Sequence, residues 1–381
     1  MLTAQVAIIG GGLSGLYAAA LLEERGIRDY VLLEARKTLG GRILSMPRSH
    51  DTDDAGSLAA IGRFDLGATW FWPDLQPGLG RLVDELGLAT FEQHEDGDML
   101  VERSSKQMAD RVNGYRSAPA SRRVVGGMEA LIEALRDRLT ADRLVCGRHV
   151  ERLVHLGDGG VELRANDMLG RPVSYQVAHV LLAVPPRLAA HTIDFAPALP
   201  DALVQQWKSC ATWMAPHAKY LAVFDKPFWR EQGLSGEARS SAGPLTEIHD
   251  ASAHGGHAAL FGFLGVPAHV RTQVPEADLL NHCRAQLVRL FGHSANAPQV
   301  ELLKDWASDP NTAVASDQNA GLHQVTRLPV TAPSGMWRNR LIGIASEWSP
   351  EFSGYVAGAV DAARRGVEVL AAVNTVSSLL H

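Results

Sequence analysis

The chain has 381 residues, 46% hydrophobic and 20% charged, with a net charge of −6. That length exceeds one ordinary core and predicts two domains, and the composition excludes a disordered or fibrous protein. The acidic balance offers no general attraction to nucleic acid or to an anionic membrane surface.

The first predicted strand, 6–9, breaks into Gly10-Gly11-Gly12-Leu13-Ser14-Gly15. Gly10, Gly12 and Gly15 stand in G-x-G-x-x-G spacing, which suits a tight strand-to-helix turn, a close backbone approach to a pyrophosphate and close helix–sheet packing. A helix over 16–25 follows, opened by Gly15 and closed by Gly26, and its N-terminal N–H groups and dipole would face the phosphates. The second strand, 30–33, ends in Glu34, placed to accept hydrogen bonds from both hydroxyls of an adenosine ribose. A 2′-phosphate beside Glu34 would meet like charge, which leaves NAD or FAD.

Residues 46–63 are polar and turn-rich and read as a surface loop. Residues 92–122 are polar and mixed, and the Gly126-Gly127 turn leads into a helix over 129–135. Val145 and 149–155 read as a strand pair, Gly157 to Gly160 as a hairpin turn and 161–165 as the next strand. A buried strand from 177 stops at Pro185-Pro186. The apolar, alternating strand 218–224 contains Lys219, and a lysine there is costly unless it is partnered or functional. The alternative is a strand-end lysine snorkelling to solvent, a role that suits Lys226 better. His249, His254 and His257 stand close together without a cysteine and read as a solvated loop, so no metal site is expected. The three cysteines, Cys146, Cys210 and Cys283, are too scattered for disulfides and read as buried thiols of a reducing compartment. Residues 1–5 show no secretory signal, and no apolar run approaches the roughly 18–20 residues that span a bilayer, so a cytoplasmic protein is expected.

Glu34-Ala35-Arg36 followed by Gly40-Gly41-Arg42 resembles the E-A-R-x-x-x-G-G-R run of FAD-containing amine oxidases. Further matches are the Asp65-Leu66-Gly67-Ala68-Thr69-Trp70 run, the Val124-Val125-Gly126-Gly127 turn, the Ala183-Val184-Pro185-Pro186 stop and the stretch from Lys219 to Arg230. Ser346-Glu347-Trp348 and the stretch from Phe352 to Val360 complete the set. In this order, over nearly the whole chain, they resemble the flavin monoamine oxidase family. The resemblance implies an α/β fold: an FAD-binding Rossmann-like (GR2-type) domain built from 1–90, 122–203 and 308–381, and an α+β substrate domain built from 91–121 and 204–307.

It also implies roles for individual residues. FAD would be held by Gly10, Gly12, Leu13, Ser14, Gly15, Glu34, Ala35, Arg36, Gly41 and Arg42, the last as a forked donor to the pyrophosphate. Gly67, Ala68 and Thr69 would also contact it, as would Val150 through its backbone at adenine. Glu347 would serve the ribityl or pyrophosphate region, with Ala345 and Ser346 in place of the usual glycine and threonine. Ser353, Gly354 and Tyr355 open a helix running to about residue 370, whose N-terminus would face the flavin N1–C2=O edge, with Gly354, Tyr355 and Val356 contacting the cofactor. No cysteine lies between Trp306 and Gly335, where the family's cysteinyl link forms, so the FAD is expected to be non-covalent.

Lys219 matches the catalytic lysine that holds a water against flavin N5. Trp70 and Tyr355 match substrate-facing aromatics, while the position of a second cage wall falls near Ser316 in a stretch without aromatics. Trp306 reads as packing. The implied reaction is hydride transfer from an amine to flavin N5, hydrolysis of the imine, and reoxidation by O2 to H2O2. The implied partners are a small-molecule amine and O2, with no nucleic acid and no membrane. The amine, the oligomeric state and the closure of the cavity where 92–122 is short stay open. The alternatives are a desaturase or dehydrogenase of the same superfamily with another acceptor, and a non-catalytic FAD-binding scaffold, which has no need of a buried lysine.

Overall fold

The computed structural model describes residues 1–47, 62–157, 159–318 and 327–379, with side chains through residue 373. Most of the loop expected at 46–63, and Asp158 of the expected hairpin turn, lie outside these residues. The chain forms two compact units, one of Met1–Arg42, Leu131–Met214 and Gly321–His381, the other of Ile43–Ala130 and Ala215–Ala320.

These bounds differ from the sequence-based division. Strands Ser45–Met46 and Phe64–Asp65 pair with each other, and Phe64 and Leu66 pack with Leu221, Val223 and Phe261 in the second unit. Trp207 and Cys210 instead join the core of the first.

In the first unit Leu2–Ile9 runs parallel between Tyr30–Glu34 and Pro172–Leu182. Leu144–Cys146 extends the ladder beyond Tyr30–Glu34, and Leu341–Gly343 beyond Pro172–Leu182. Every residue of Tyr30–Glu34 is buried, as in parallel strands covered on both faces. Arg148–His155 and Val161–Asp167 continue the sheet in antiparallel fashion from Pro172–Leu182, with Asp194–Ala196 at the edge. The strand pair expected from Val145 and 149–155 does not form, because Gly147 at φ +68° turns the chain between two strands that join different neighbours.

The first helix spans Leu13–Glu24, so Gly15 lies within its first turn rather than opening it. It packs against the last helix, Val356–Leu379, which outruns the expected end near 370. Among the described residues no helix is long and apolar enough to cross a membrane. None of the three cysteines is in a disulfide, and Cys146 is only half-buried because it ends an edge strand.

The second unit is a seven-stranded sheet in the order Val300–Asp305, Ala218–Phe224, Ala258–Leu264, Leu245–Asp250, Leu234–Ser240, Asp98–Glu102, Asp110–Val112. One face, carrying Tyr220, Ala222 and Phe224, is covered by the helix Glu276–Phe291 through Leu279, Cys283, Leu287 and Phe291. The other carries Leu221 and Val223 against Phe64, Leu66 and Phe261. The two-residue period puts Lys219 on this second face. With both faces covered, all seven residues of Ala218–Phe224 are buried.

Candidate active site

In the first unit the Leu2–Ile9 strand reaches the helix through Gly10, whose φ of +109° is a glycine conformation. A Cβ on Gly15 would lie 2.0 Å from the Gly10 carbonyl oxygen, so strand end and helix meet too closely for any side chain. Gly12 caps the helix with no side-chain hydrogen bond, and the first turn holds no acid. The N–H groups of Leu13, Ser14 and Gly15 therefore remain for an anion. Gly40 donates to the Gly11 carbonyl at 2.9 Å, which brings Gly41, at φ +60°, beside the turn.

Glu34 is buried, with Oε2 accepting from the Gly11 N–H at 2.7 Å and Oε1 from the Arg36 N–H at 2.8 Å. Each oxygen keeps a lone pair for a hydroxyl. Ala35 follows the carboxylate and is half-buried. Arg42 forks onto Glu347 at 2.7 and 3.1 Å and donates to Ser346 Oγ at 3.0 Å. Its guanidinium thus has a carboxylate partner that the sequence did not assign to it. Val150 is a core residue of its strand, paired with Ala165.

Gly354 has φ +82°, and a Cβ there would lie 2.4 Å from the Trp213 Cβ. Tyr355, 42% exposed, stacks on Trp213 at 6.0 Å with 26° between the rings, and Val356 begins the last helix. Trp213 is a partner that sequence reasoning missed, since it lies far along the chain in an irregular stretch. Ser316, where a second cage wall was expected, is exposed in the short turn Ala315–Asp317.

In the second unit Lys219 is 2% exposed. Its Nζ donates to Thr69 Oγ1 at 2.6 Å and to the Gly67 carbonyl at 3.3 Å, and it lies 3.9 Å from the centre of the Phe261 ring. The predicted lysine and the predicted Gly67-Ala68-Thr69 run are thus brought together. Burial pushes the ammonium down to about 7, with Asp65 opposing the shift and Arg123 adding to it. A snorkelling strand-end lysine would show neither the burial nor these partners.

Trp70 donates its indole N–H to Gln93 Oε1 at 2.8 Å and packs edge-on against His249 at 4.9 Å and tilted against Phe261 at 5.3 Å. Gln93 in turn donates to the Asp250 carbonyl at 2.8 Å. With His94, Arg123, Arg230 and Asp250 it also lines a polar cleft of about 580 Å³. Trp306 is packing, as expected, and its indole N–H donates to the Leu66 carbonyl at 3.1 Å.

Asp65 fixes the run from behind, accepting from Ser45 Oγ at 2.5 Å and the Met128 N–H at 2.8 Å. A Cβ on Gly127, at φ +81°, would lie 2.7 Å from Ser45 Oγ, so the paired glycines let the turn close on this carboxylate. Of the three histidines, His249 lies in the Leu245–Asp250 strand rather than a loop, with Nε2 2.7 Å from Glu247 Oε1. Its hydrogen bond holds the Glu247 carboxyl below the usual range. His254 packs on Phe91 at 5.2 Å, and among the described residues no group of histidine, cysteine and acid side chains could hold a metal.

A Rossmann-type dinucleotide cradle in one unit and a desolvated lysine among aromatic rings in the other are the parts of a flavin-dependent oxidoreductase. Residues 102–371 match the model of the flavin containing amine oxidoreductases, and residues 8–86 match that of the NAD(P)-binding Rossmann-like domain. The chain belongs to the flavin-containing amine oxidoreductase family, enzymes that act on amines with a flavin cofactor. It is 25% identical to a putrescine oxidase of Kocuria rosea over 436 aligned positions, covering 84% of this chain and 86% of that one. A solved putrescine oxidase variant superposes with a TM-score of 0.79 at 22% identity, covering 97% of this chain and 99% of the other. Cyclohexylamine oxidase from Brevibacterium oxydans IH-35A gives 0.77 at 18% identity, covering 98% and 99%. The two superpositions show a shared fold.

Proposed function

We propose that the protein binds FAD non-covalently and oxidises a small-molecule amine to an imine, which water then hydrolyses. The observation that carries this is Lys219, a buried amine titrating at about 7 and held by Thr69 and Gly67 beside Trp70 and Phe261. The first unit fits the dinucleotide: the uncapped N–H groups of Leu13, Ser14 and Gly15 suit a pyrophosphate, and Glu34 suits a ribose. Gly10, Gly12 and Gly41 let the backbone come close, Ala35 and Arg36 continue the Glu34 end, and Val150 offers its backbone to adenine. Arg42 and Glu347 act as one forked unit at the pyrophosphate and ribityl side. The N–H groups at Gly354 and Val356 suit developing negative charge, while the Tyr355 N–H donates to the Phe352 carbonyl at 3.0 Å and holds the turn.

The flavin, when bound, would supply a hydride acceptor for the carbon bearing the neutral amine and a route for the electrons to O2. The protein's share is position and charge. Lys219 keeps an N–H or a lone pair at Nζ, beyond its bonds to Thr69 and Gly67, with which to order a water. Trp70, fixed by Gln93 and His249, and Tyr355, backed by Trp213, orient the apolar part of the amine. The names of the related putrescine and cyclohexylamine oxidases support aliphatic amines as the first to try.

The test is the visible spectrum of the purified protein and its anaerobic bleaching by a panel including putrescine, cyclohexylamine and benzylamine. Air should then restore the colour with one peroxide per amine consumed. A yellow protein that no amine bleaches would overturn amine oxidation, and a bleached one that air does not restore would replace O2 with another acceptor.

A further inference from the structure

The second unit buries three ionisable side chains: Lys219, Asp65 and Arg123 are 2%, 3% and 4% exposed. Among the described residues none of them is in a contact ion pair. Asp65 accepts only from the Ser45 hydroxyl and the Met128 N–H, and Lys219 donates to a hydroxyl and a carbonyl. Arg123 donates to the carbonyls of Ser252 and Ala251 at 2.9 and 3.0 Å and lies over the Phe91 ring at 5.1 Å. Asp65 lies between Phe64 and Leu66, the Ala251 carbonyl accepts from Arg123, and Phe261 lies against the Lys219 amine, so all three charges border one small cluster of Phe64, Leu66, Ala251 and Phe261. There water and salt screen weakly, and each charge acts on the others through space.

The other charged groups around Lys219 are compensated. The Ala258–Leu264 strand presents only Phe261 and Phe263 to it. The Val300–Asp305 strand places Lys304 opposite, but Lys304 is paired with Asp309 at 3.0 Å. From Leu245–Asp250, His249 is bonded to Glu247, and Asp250 is paired with Arg230 at 2.8 Å. Asp65 and Arg123 are left as the uncompensated charges. We propose that Asp65 and Arg123 form an opposed pair of buried charges that sets how much of Lys219 is protonated near neutral pH.

A negative Asp65 favours the ammonium, and the permanently charged Arg123 favours the free amine. With Asp65 ionised, the trio is neutral overall when Lys219 is neutral and carries one positive charge when it is protonated. Burial raises the Asp65 carboxyl above its ordinary range, against the pull of Arg123, the Ser45 hydroxyl and Lys219. This arrangement bears on catalysis through the proposed role of Lys219, so it rests on that reading for its consequence but not for its measurement.

The experiment labels lysine with 13C at Cε and follows the resonances through a pH titration of the flavin-bound protein. The chain has only six lysines, and Lys219→Met identifies the signal. Asp65→Asn should lower the Lys219 midpoint and Arg123→Gln should raise it, each by about one pH unit, a tenfold change in the ratio of ammonium to amine. Thr69→Val, which removes a neutral partner, separates loss of a hydrogen bond from loss of a charge. Midpoints that stay put in both charge variants, or move in the same direction, overturn the proposal. Should Asp65→Asn fail to fold, Arg123→Gln alone decides, and an unmoved or lowered midpoint overturns it. The signal needs no turnover: a protein that bleaches with no amine loses the proposed function, while the opposed shifts still stand or fall on the titration.

Discussion

At Lys219 burial and chemistry pull in opposite directions, and the balance can be measured. Its amine titrates at about 7 in the folded protein against an ordinary lysine value of 10.5. The unfolded chain therefore binds the proton more tightly. The cost to the folded state, on the order of 5 kcal/mol, is fully present below about pH 7 and fades as pH rises towards about 10.5. Lys219→Met keeps the stem and removes the amine, so it should raise the melting temperature, and by more at about pH 7 than at about pH 10. An equal gain at both would show that Lys219 does not carry this desolvation cost. In stopped-flow the same variant should keep its flavin yet lose much of its rate in flavin reduction, in reoxidation by O2 or in both, and wild-type rates in both would make Lys219 a bystander. Glu34 is the comparable residue in the first unit. Glu34→Ala should weaken flavin retention by about 1.5–3 kcal/mol, the worth of charge-assisted hydrogen bonds. An unchanged flavin-to-protein ratio after long dialysis would count against the ribose contact.

At the scale of elements, the glycine turn is the tightest junction. Gly15→Ala would place a Cβ 2.0 Å from the Gly10 carbonyl oxygen, a backbone atom that cannot swing aside. The Leu13–Glu24 helix must then shift off the strand end, and the variant should lose most of its flavin while far-UV circular dichroism stays close to wild type. Full flavin occupancy would show that the close approach is not needed. This junction was legible in the sequence because close packing and phosphate approach both demand glycine at fixed local spacing. The strand 218–224 and the oddness of its lysine were legible for the same reason: a charge in an apolar run is a local signal. What each element pairs with was not. Thr69 reaches Lys219 across 150 positions and Glu347 reaches Arg42 across 305. The apolar periods of Val145 and 149–155 mark strands without naming their neighbours, and only the positive φ at Gly147 separates them. Trp213 and Gln93 escaped notice, and His249 reads in the sequence as part of a solvated loop, because an aromatic or polar residue near the site in space carries no mark of it along the chain.

At the scale of the whole molecule, the first unit is assembled from Met1–Arg42, Leu131–Met214 and Gly321–His381. The residues proposed to hold the dinucleotide come from all three: Glu34 and Arg42 from the first, Val150 from the second, Glu347 and Gly354 from the third. Such a set exists only when the segments are folded together, so FAD should bind the native chain and not the unfolded one. By mass action a ligand at a hundred times its dissociation constant then stabilises the fold by about 2.7 kcal/mol. Removing the flavin should accordingly lower the melting temperature, and adding FAD back should restore it in a concentration-dependent way. Because no cysteine lies in the stretch from Trp306 to Gly335, acid precipitation should leave the yellow colour in the supernatant. Colour that stays with the precipitate would mean a covalent link through another residue. A colourless apoprotein that melts at the same temperature as the holoprotein would mean that FAD has no preference for the folded chain, and that the three segments do not assemble its site.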